Sequence, residues 1–349
     1  MIAFNFEQLR HIGFKQLIAG QLGLLEPVAD DARLMRITEV QREWLTVHDG
    51  VRELKARALA KLHGEYVLAV GDWVVVDNMA HGELWISQRL SPVNHISRRS
   101  YDGRRQAIAS NIDTALLVMG LDHDFNVRRL ERYIALTEAS EVSALIVLTK
   151  CDIGHDIHQR VDELRRRIPA RYPIVAVNAL DAASVSALDP WLGYGQTLCL
   201  LGSSGAGKST LTNTLSAAHQ ETGVIREGDS RGRHTTTFRS MHICATGACI
   251  IDAPGLRTLR PDGGEDSIAA AFDDIDSLAA QCQFRDCKHE LEPGCAVRDN
   301  IDPDRLFNYR KLMRDIQRSQ QTPLERIAER SRWKVIHKAA SARNRDKRG

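Results

Sequence analysis

Gly202-Ser203-Ser204-Gly205-Ala206-Gly207-Lys208-Ser209 decides how this chain is read. The glycines let successive backbone N–H groups converge on phosphate oxygens, and a helix starting at the lysine turns its positive end toward them. The motif needs a strand before it and a helix after it. Thr197–Leu201 is an unbroken apolar run that reads as a buried strand, and residues 208–218 read as a helix. Lys208 then reaches the β- and γ-phosphates of a nucleoside triphosphate, the Ser209 hydroxyl ligates Mg²⁺, and Thr210 touches the α-phosphate. So far the pattern fits any P-loop nucleoside triphosphatase or kinase.

Base choice comes from Thr149-Lys150-Cys151-Asp152, which precedes the phosphate loop instead of following it. The Asp152 carboxylate can only accept hydrogen bonds, and guanine offers its N1–H and exocyclic amine side by side. Adenine presents a lone pair at N1 and would leave that carboxylate unsatisfied. Lys150 can lay its aliphatic stem along the base face. An apolar strand at 144–148 puts the tetrad at a strand's carboxyl end, where α/β proteins bind ligands. Guanine-binding proteins usually open this tetrad with Asn. Thr149 cannot imitate an amide's separated donor and acceptor, so a modest base affinity is expected. A further strand at 174–177 ends in Asn178-Ala179, where the Ala179 N–H would meet guanine O6; read alone, this is an ordinary strand end.

Downstream, a short strand at 249–251 closes in Asp252-Ala253-Pro254-Gly255, which suits a Mg²⁺-side carboxylate and a γ-phosphate-sensing Gly255 N–H. Between this strand and the phosphate loop lies Arg231-Gly232-Arg233-His234-Thr235-Thr236-Thr237, polar and placed as a switch loop. Thr236, ahead of Thr235, is the expected Mg²⁺ ligand. Many GTPases follow the glycine with a glutamine that orients water; here Leu256 stands in that place. His234 is the local group able to hold or accept a water proton near neutral pH, and is the expected catalytic partner of Lys208. Without such a group the bound GTP would be a structural ligand of a non-hydrolysing RNA-binding assembly factor.

The chain has 349 residues, enough for two or three domains, with 43% hydrophobic and 26% charged residues, as in soluble globular proteins. No apolar run approaches the roughly 18 residues that span a bilayer, and Glu7 and Arg10 stand where a secretory signal would be apolar. A cytoplasmic protein with no membrane contact, acting as a monomer, is expected. Of seven cysteines, Cys199, Cys244 and Cys249 lie in apolar strands and read as buried thiols. Cys282, Cys287, His289 and Cys295 form a compact Cys₃His set, a structural zinc site with no open position.

Around the nucleotide elements the texture changes. Short β segments at 36–40, 45–48, 69–76 and 83–87 suggest a small barrel of the OB type, carrying Trp44, Tyr66, Trp73 and Trp85. Arg98, Arg99, Arg104 and Arg105 make the following stretch basic, and 111–120 resumes as a strand. Helices are expected at 267–280 and 305–318, and the tail 326–348 carries nine Lys or Arg against Glu329 and Asp346, which favours RNA. The expected fold class is multi-domain α/β: an extension (1–34), an OB-fold β-barrel (35–92), a basic linker (93–105), a circularly permuted P-loop GTPase domain (106–262) and a helical zinc-binding domain with a basic tail (263–349).

The rotated order of GTPase elements, between an amino-terminal barrel and a Cys-x4-Cys-x-His-x5-Cys cluster, resembles the ribosome small-subunit-dependent GTPase A family (RsgA). Gly71-Asp72-Trp73-Val74, Gly232 to Thr237 and Glu292-Pro293-Gly294-Cys295 carry the resemblance beyond the generic elements. It implies GTP hydrolysis to GDP, stimulated by the small ribosomal subunit late in that subunit's maturation, with ribosomal RNA contacted by both flanking domains. It also implies Mg²⁺ with GTP and one structural Zn²⁺.

Overall fold

The computed structural model describes residues 4–29, 31–41, 44–59, 62, 68–78, 82–99, 105–154, 156–216, 239–253 and 265–320. Five strands close a barrel: β1 (Arg33–Val40), β2 (Leu45–His48), β3 (Glu53–Ala58), β4 (Trp73–Asn78) and β5 (Leu84–Arg89). They pair in the order β1-β2-β3-β5-β4, β4 returns to β1, and only β3 with β5 is parallel. This is the OB arrangement. Met35, Ile37, Val47, Ala56, Val74, Val76 and Ile86 point inward and fill it. β3 was not among the expected strands. Its inward side chains are Leu54, Ala56 and Ala58, alternating with Glu53, Lys55 and Arg57, so its apolar face is small. β4 starts at Trp73 instead of residue 69, because Gly71 turns the chain first with φ +93°.

The stretch expected as a basic linker carries β6 (His95–Arg99), which pairs with β7 (Arg105–Ser110) as an antiparallel hairpin. Ile96 and Ile108 are buried beneath it, which is what holds the ribbon in place. Beyond it come β8 (Thr114–Gly120), β9 (Ser143–Thr149), β10 (Ile174–Ala176), β11 (Thr197–Leu201), β12 (Arg239–Ile243) and β13 (Cys249–Asp252). Their spatial order is β10-β9-β8-β11-β13-β12, all parallel except β12.

A parallel sheet is buried on both faces, and the alternation shows it. Along β8, Ala115, Leu117 and Met119 enter one core, while Leu116 and Val118 enter the other. The first core is covered by the helix Val127–Ala139 and by the carboxyl-terminal helices Glu265–Ala271, Asp273–Ala279 and Pro303–Gln320. The second is covered by the helix Lys208–Leu215 and the segment around Val185 and Leu188. The helix expected at 267–280 is two helices, broken at the wholly buried Phe272.

Barrel and sheet form one surface. β1 pairs with β12 through Glu39↔Ser240 and Val40↔Arg239. Arg36 is completely buried at the junction and donates to the carbonyls of Ile12, Gly71 and Asn111 and to the Thr197 hydroxyl. Leu9, Ile12, Phe14 and Ile18 are buried as well, so this part of the amino-terminal extension packs into the core. On the other side, the wholly buried Glu131 accepts from Arg167 at 2.8 Å and Arg305 at 2.6 Å, and Arg305 also binds Asp274 at 2.6 Å. An ion network thereby fastens the carboxyl-terminal helices to the helix Val127–Ala139. Among the described residues no helix is long and apolar enough to cross a membrane.

Candidate functional site

The carboxyl ends of β9, β10, β11 and β13 share one edge of the sheet, and each ends in a motif read from the sequence. β11 runs into Gly202, and the helix begins at Lys208. Gly207 has φ +93°, and a Cβ there would lie 3.2 Å from the Thr149 hydroxyl, so the loop's turn and its closeness to the tetrad both call for glycine. The Lys208 ammonium folds back onto its own loop and donates to the carbonyls of Gly202 (3.0 Å) and Ser203 (2.9 Å). Burial draws its pKa below the ordinary value, against the opposing pull of Asp252 and Asp124.

Ser209 donates to Asp252 Oδ2 at 3.3 Å. Asp252 is buried, and its other oxygen, Oδ1, has no hydrogen-bond partner among the described residues. A buried carboxylate oxygen left bare beside a serine hydroxyl is costly unless a cation or its water takes the position. The pair fits the Mg²⁺ that accompanies a nucleoside triphosphate. His234, Thr236 and Gly255 lie outside the described residues.

The base tetrad stands beside this loop. Thr149 is wholly buried, and its hydroxyl donates to the Ala206 carbonyl at 2.6 Å. Asp152 is exposed. The Asn178-Ala179 loop is placed by its neighbours: Asn178 N–H donates to Ser184 Oγ at 2.8 Å, and Thr214 Oγ donates to the Ala179 carbonyl at 2.6 Å. Thr214 belongs to the helix that follows the glycine-rich loop, so the tetrad and the Asn178-Ala179 loop are both tied to that loop and helix.

Two residues that the sequence reading passed over complete the frame. Asp122 Oδ2 holds the Lys150 ammonium at 2.7 Å, and Asp124 Oδ1 accepts from Ser203 Oγ at 2.6 Å. Their signal was present: two carboxylates just past the carboxyl end of β8, on the edge where ligands bind.

Away from this edge, Cys282, Cys287, His289 and Cys295 bring their ligand atoms within 4.8 Å of one another. The sulfurs of Cys282 and Cys295 lie 3.6 and 3.5 Å from His289 Nδ1. A tetrahedral ion with ordinary metal–sulfur and metal–imidazole bonds would separate such atoms by about 3.6 Å. Glu292 braces the loop by accepting the backbone N–H groups of Lys288, Glu290 and Leu291. The described set can therefore hold a metal ion.

Comparison with known proteins agrees with this geometry. The family model described as RsgA GTPase matches residues 90–261. The small ribosomal subunit biogenesis GTPase RsgA of Xanthomonas oryzae pv. oryzae is 46% identical over 272 residues, covering 76% of this chain and 74% of that protein. Its counterpart in Xanthomonas axonopodis pv. citri is 45% identical over the same span. Among solved structures, YjeQ from Thermotoga maritima matches 82% of this chain and 99% of its own, with a TM-score of 0.60 and 22% identity. YloQ, a circularly permuted GTPase, matches 85% and 99% with a TM-score of 0.56 and 21% identity. These two support the fold.

Proposed function

The chain belongs to the RsgA family of circularly permuted GTPases, and from that premise we propose that it binds the small ribosomal subunit through its RNA, late in maturation, and hydrolyses GTP there. The observation that carries the reading is the meeting, on one sheet edge, of a phosphate loop with a guanine tetrad that precedes it in the chain.

In this reading the backbone N–H groups of Gly202, Ser203, Ser204, Gly205, Ala206 and Gly207 surround the phosphates. The Lys208 ammonium leaves its two loop carbonyls for the β- and γ-phosphate oxygens, and Thr210 meets the α-phosphate. Asp152 accepts from guanine N1–H and the exocyclic amine, Lys150 covers the base face, Cys151 fills the tetrad's free position, and the Ala179 N–H faces O6. Ser209 and Asp252, with Thr236, would hold Mg²⁺, which would supply positive charge to the phosphates. Gly255 N–H senses the γ-phosphate, and His234 holds the proton of the attacking water, the role Leu256 cannot take. Zn²⁺ in the Cys₃His set is structural, since four protein ligands leave no open position. The protein works as a cytoplasmic monomer.

The test is turnover with purified small subunits. GTP hydrolysis should rise strongly when immature or mature small subunits are added, and His234→Ala should lose most of that rise while keeping GDP affinity. Turnover indifferent to the subunit would overturn the assignment.

A further inference from the structure

The loop after β8, from Leu121 to Asn126, touches both halves of the nucleotide site and is itself pinned from two sides. Asp122 Oδ2 binds Lys150 Nζ at 2.7 Å, with side chains 17% and 27% exposed, so the pair is partly shielded from water. Its second oxygen accepts the Asp124 N–H at 3.1 Å, which fixes the carboxylate's orientation. Asp124 holds Ser203 of the phosphate loop at 2.6 Å and Arg129 at 2.6 Å. Arg160, from the helix after the tetrad, donates to the carbonyls of Leu121 and Asp122 and stacks over Phe125 at 5.1 Å. A Cβ on Gly154, in the turn after the tetrad, would lie 2.9 Å from Leu121 Cβ and 2.9 Å from its carbonyl, so turn and loop are in direct backbone contact.

Lys150 needs such support. Its φ is +62°, a left-handed conformation that persists in a lysine only where the surroundings enforce it. A lysine stem is also flexible, with four rotatable bonds to lose when it lies on a base. The Asp122 carboxylate fixes the far end of that stem before any base arrives. Burial raises the Asp122 pKa, but the hydrogen bonds from Lys150 and the Asp124 N–H outweigh it and bring the value below the ordinary one, so the anchor is charged at neutral pH.

We propose that Asp122 is a positioning residue for purine recognition: by anchoring the Lys150 ammonium it preforms the platform on which the base lies. The inference rests on the guanine-site reading. It has a consequence that a change in edge reading lacks. Stacking under a lysine stem is blind to the base edge, whereas Asp152 reads that edge. Loss of Asp122 should therefore weaken GDP and IDP by the same factor.

The experiment is equilibrium binding of GDP, IDP and ADP to the full-length wild type and to Asp122→Asn, Lys150→Met and the double variant, with Asp122→Glu as the conservative replacement. Asp122→Asn should weaken GDP and IDP about tenfold each, and should add little in the Lys150→Met background, a coupling expected of groups in contact. Asp122→Glu should recover part of the loss. Additive effects of the two substitutions, or an unchanged GDP affinity in Asp122→Asn, would overturn the proposal while leaving the guanine site intact. Wild type binding ADP as well as GDP would instead overturn the reading beneath it.

Discussion

Thr149 and Ala206, 57 residues apart in the chain, are joined by a single hydrogen bond of 2.6 Å from the threonine hydroxyl to the alanine carbonyl. The tetrad's opening residue therefore clamps the phosphate loop. An amide at this position would offer a donor and an acceptor; the hydroxyl supplies the donor to the loop, and its buried setting leaves no slack, with Gly207 packed against it. Thr149→Val keeps the shape and removes the donor, leaving the Ala206 carbonyl without its partner at a cost of about 1–3 kcal/mol. GDP titration should show weaker binding by about tenfold or more. An unchanged Kd would mean that the clamp does not support the loop.

Arg36 joins barrel, amino-terminal segment and β11 through three carbonyls and a hydroxyl. Arg36→Met fills much of the volume but strands these acceptors in the core, where each unmet hydrogen bond is expensive. The urea midpoint should fall by the equivalent of about 3–5 kcal/mol, with greater amide exchange at the β1–β12 seam. A midpoint within error of wild type would show that the junction is held by packing alone.

His48 and His242 line a cleft between the barrel and β12, with Glu53 and Ser216 beside them. His48 Nδ1 accepts the Gly50 N–H at 2.9 Å, so the folded form needs it unprotonated. Burial lowers both histidine pKa values, against the upward pull of Glu53 on His48 and of Asp252, Glu53 and Glu39 on His242. A folded pKa below the unfolded one of about 6.5 means full stabilisation above that pH and loss as pH falls through the lowered value. The denaturation midpoint should decline from about pH 7.5 to about pH 5.5, and His48→Gln with His242→Gln should flatten the decline. An equal slope in wild type and double variant would assign the effect elsewhere.

Glu292 orients the candidate metal-binding loop by accepting three backbone N–H groups. Supporting residues of this kind are commonly worth about 10–100-fold in metal affinity. Glu292→Ala should release zinc to a chelator at correspondingly lower concentration. Chelation of the wild type should raise amide exchange around residues 282–300 and leave GDP affinity within about twofold, because the nucleotide edge lies elsewhere. Metal analysis with no zinc in the freshly purified protein would contradict the assignment.

What was legible in the sequence was local. The phosphate loop, the tetrad and the Cys₃His cluster are each a short run whose residue types and spacing express one chemical requirement, and β11 was bounded to the residue. The barrel was legible as a class but not in full: β3 hides because two of its inward residues, Ala56 and Ala58, are small. Leu9, Ile12, Phe14 and Ile18 gave no periodic signal, since the chain bends between two short helices and the burial comes from a distant partner. Asp122 and Asp124 carry a signal in their place past the end of β8, but not their partners. Their importance lies in reaching Lys150 and Ser203, a relation that only the assembled sheet creates.

The central claim is that the carboxylate of Asp152 and the ammonium of Lys208 serve one guanine nucleotide although the chain meets them in rotated order. Competition binding of GDP, XDP and ADP to the wild type and to Asp152→Asn tests it most directly. Wild type should prefer GDP over both competitors, and the variant should lose GDP and gain XDP, because the amide can donate where xanthine carries an oxygen. A variant that keeps the wild-type order of preference would contradict the account.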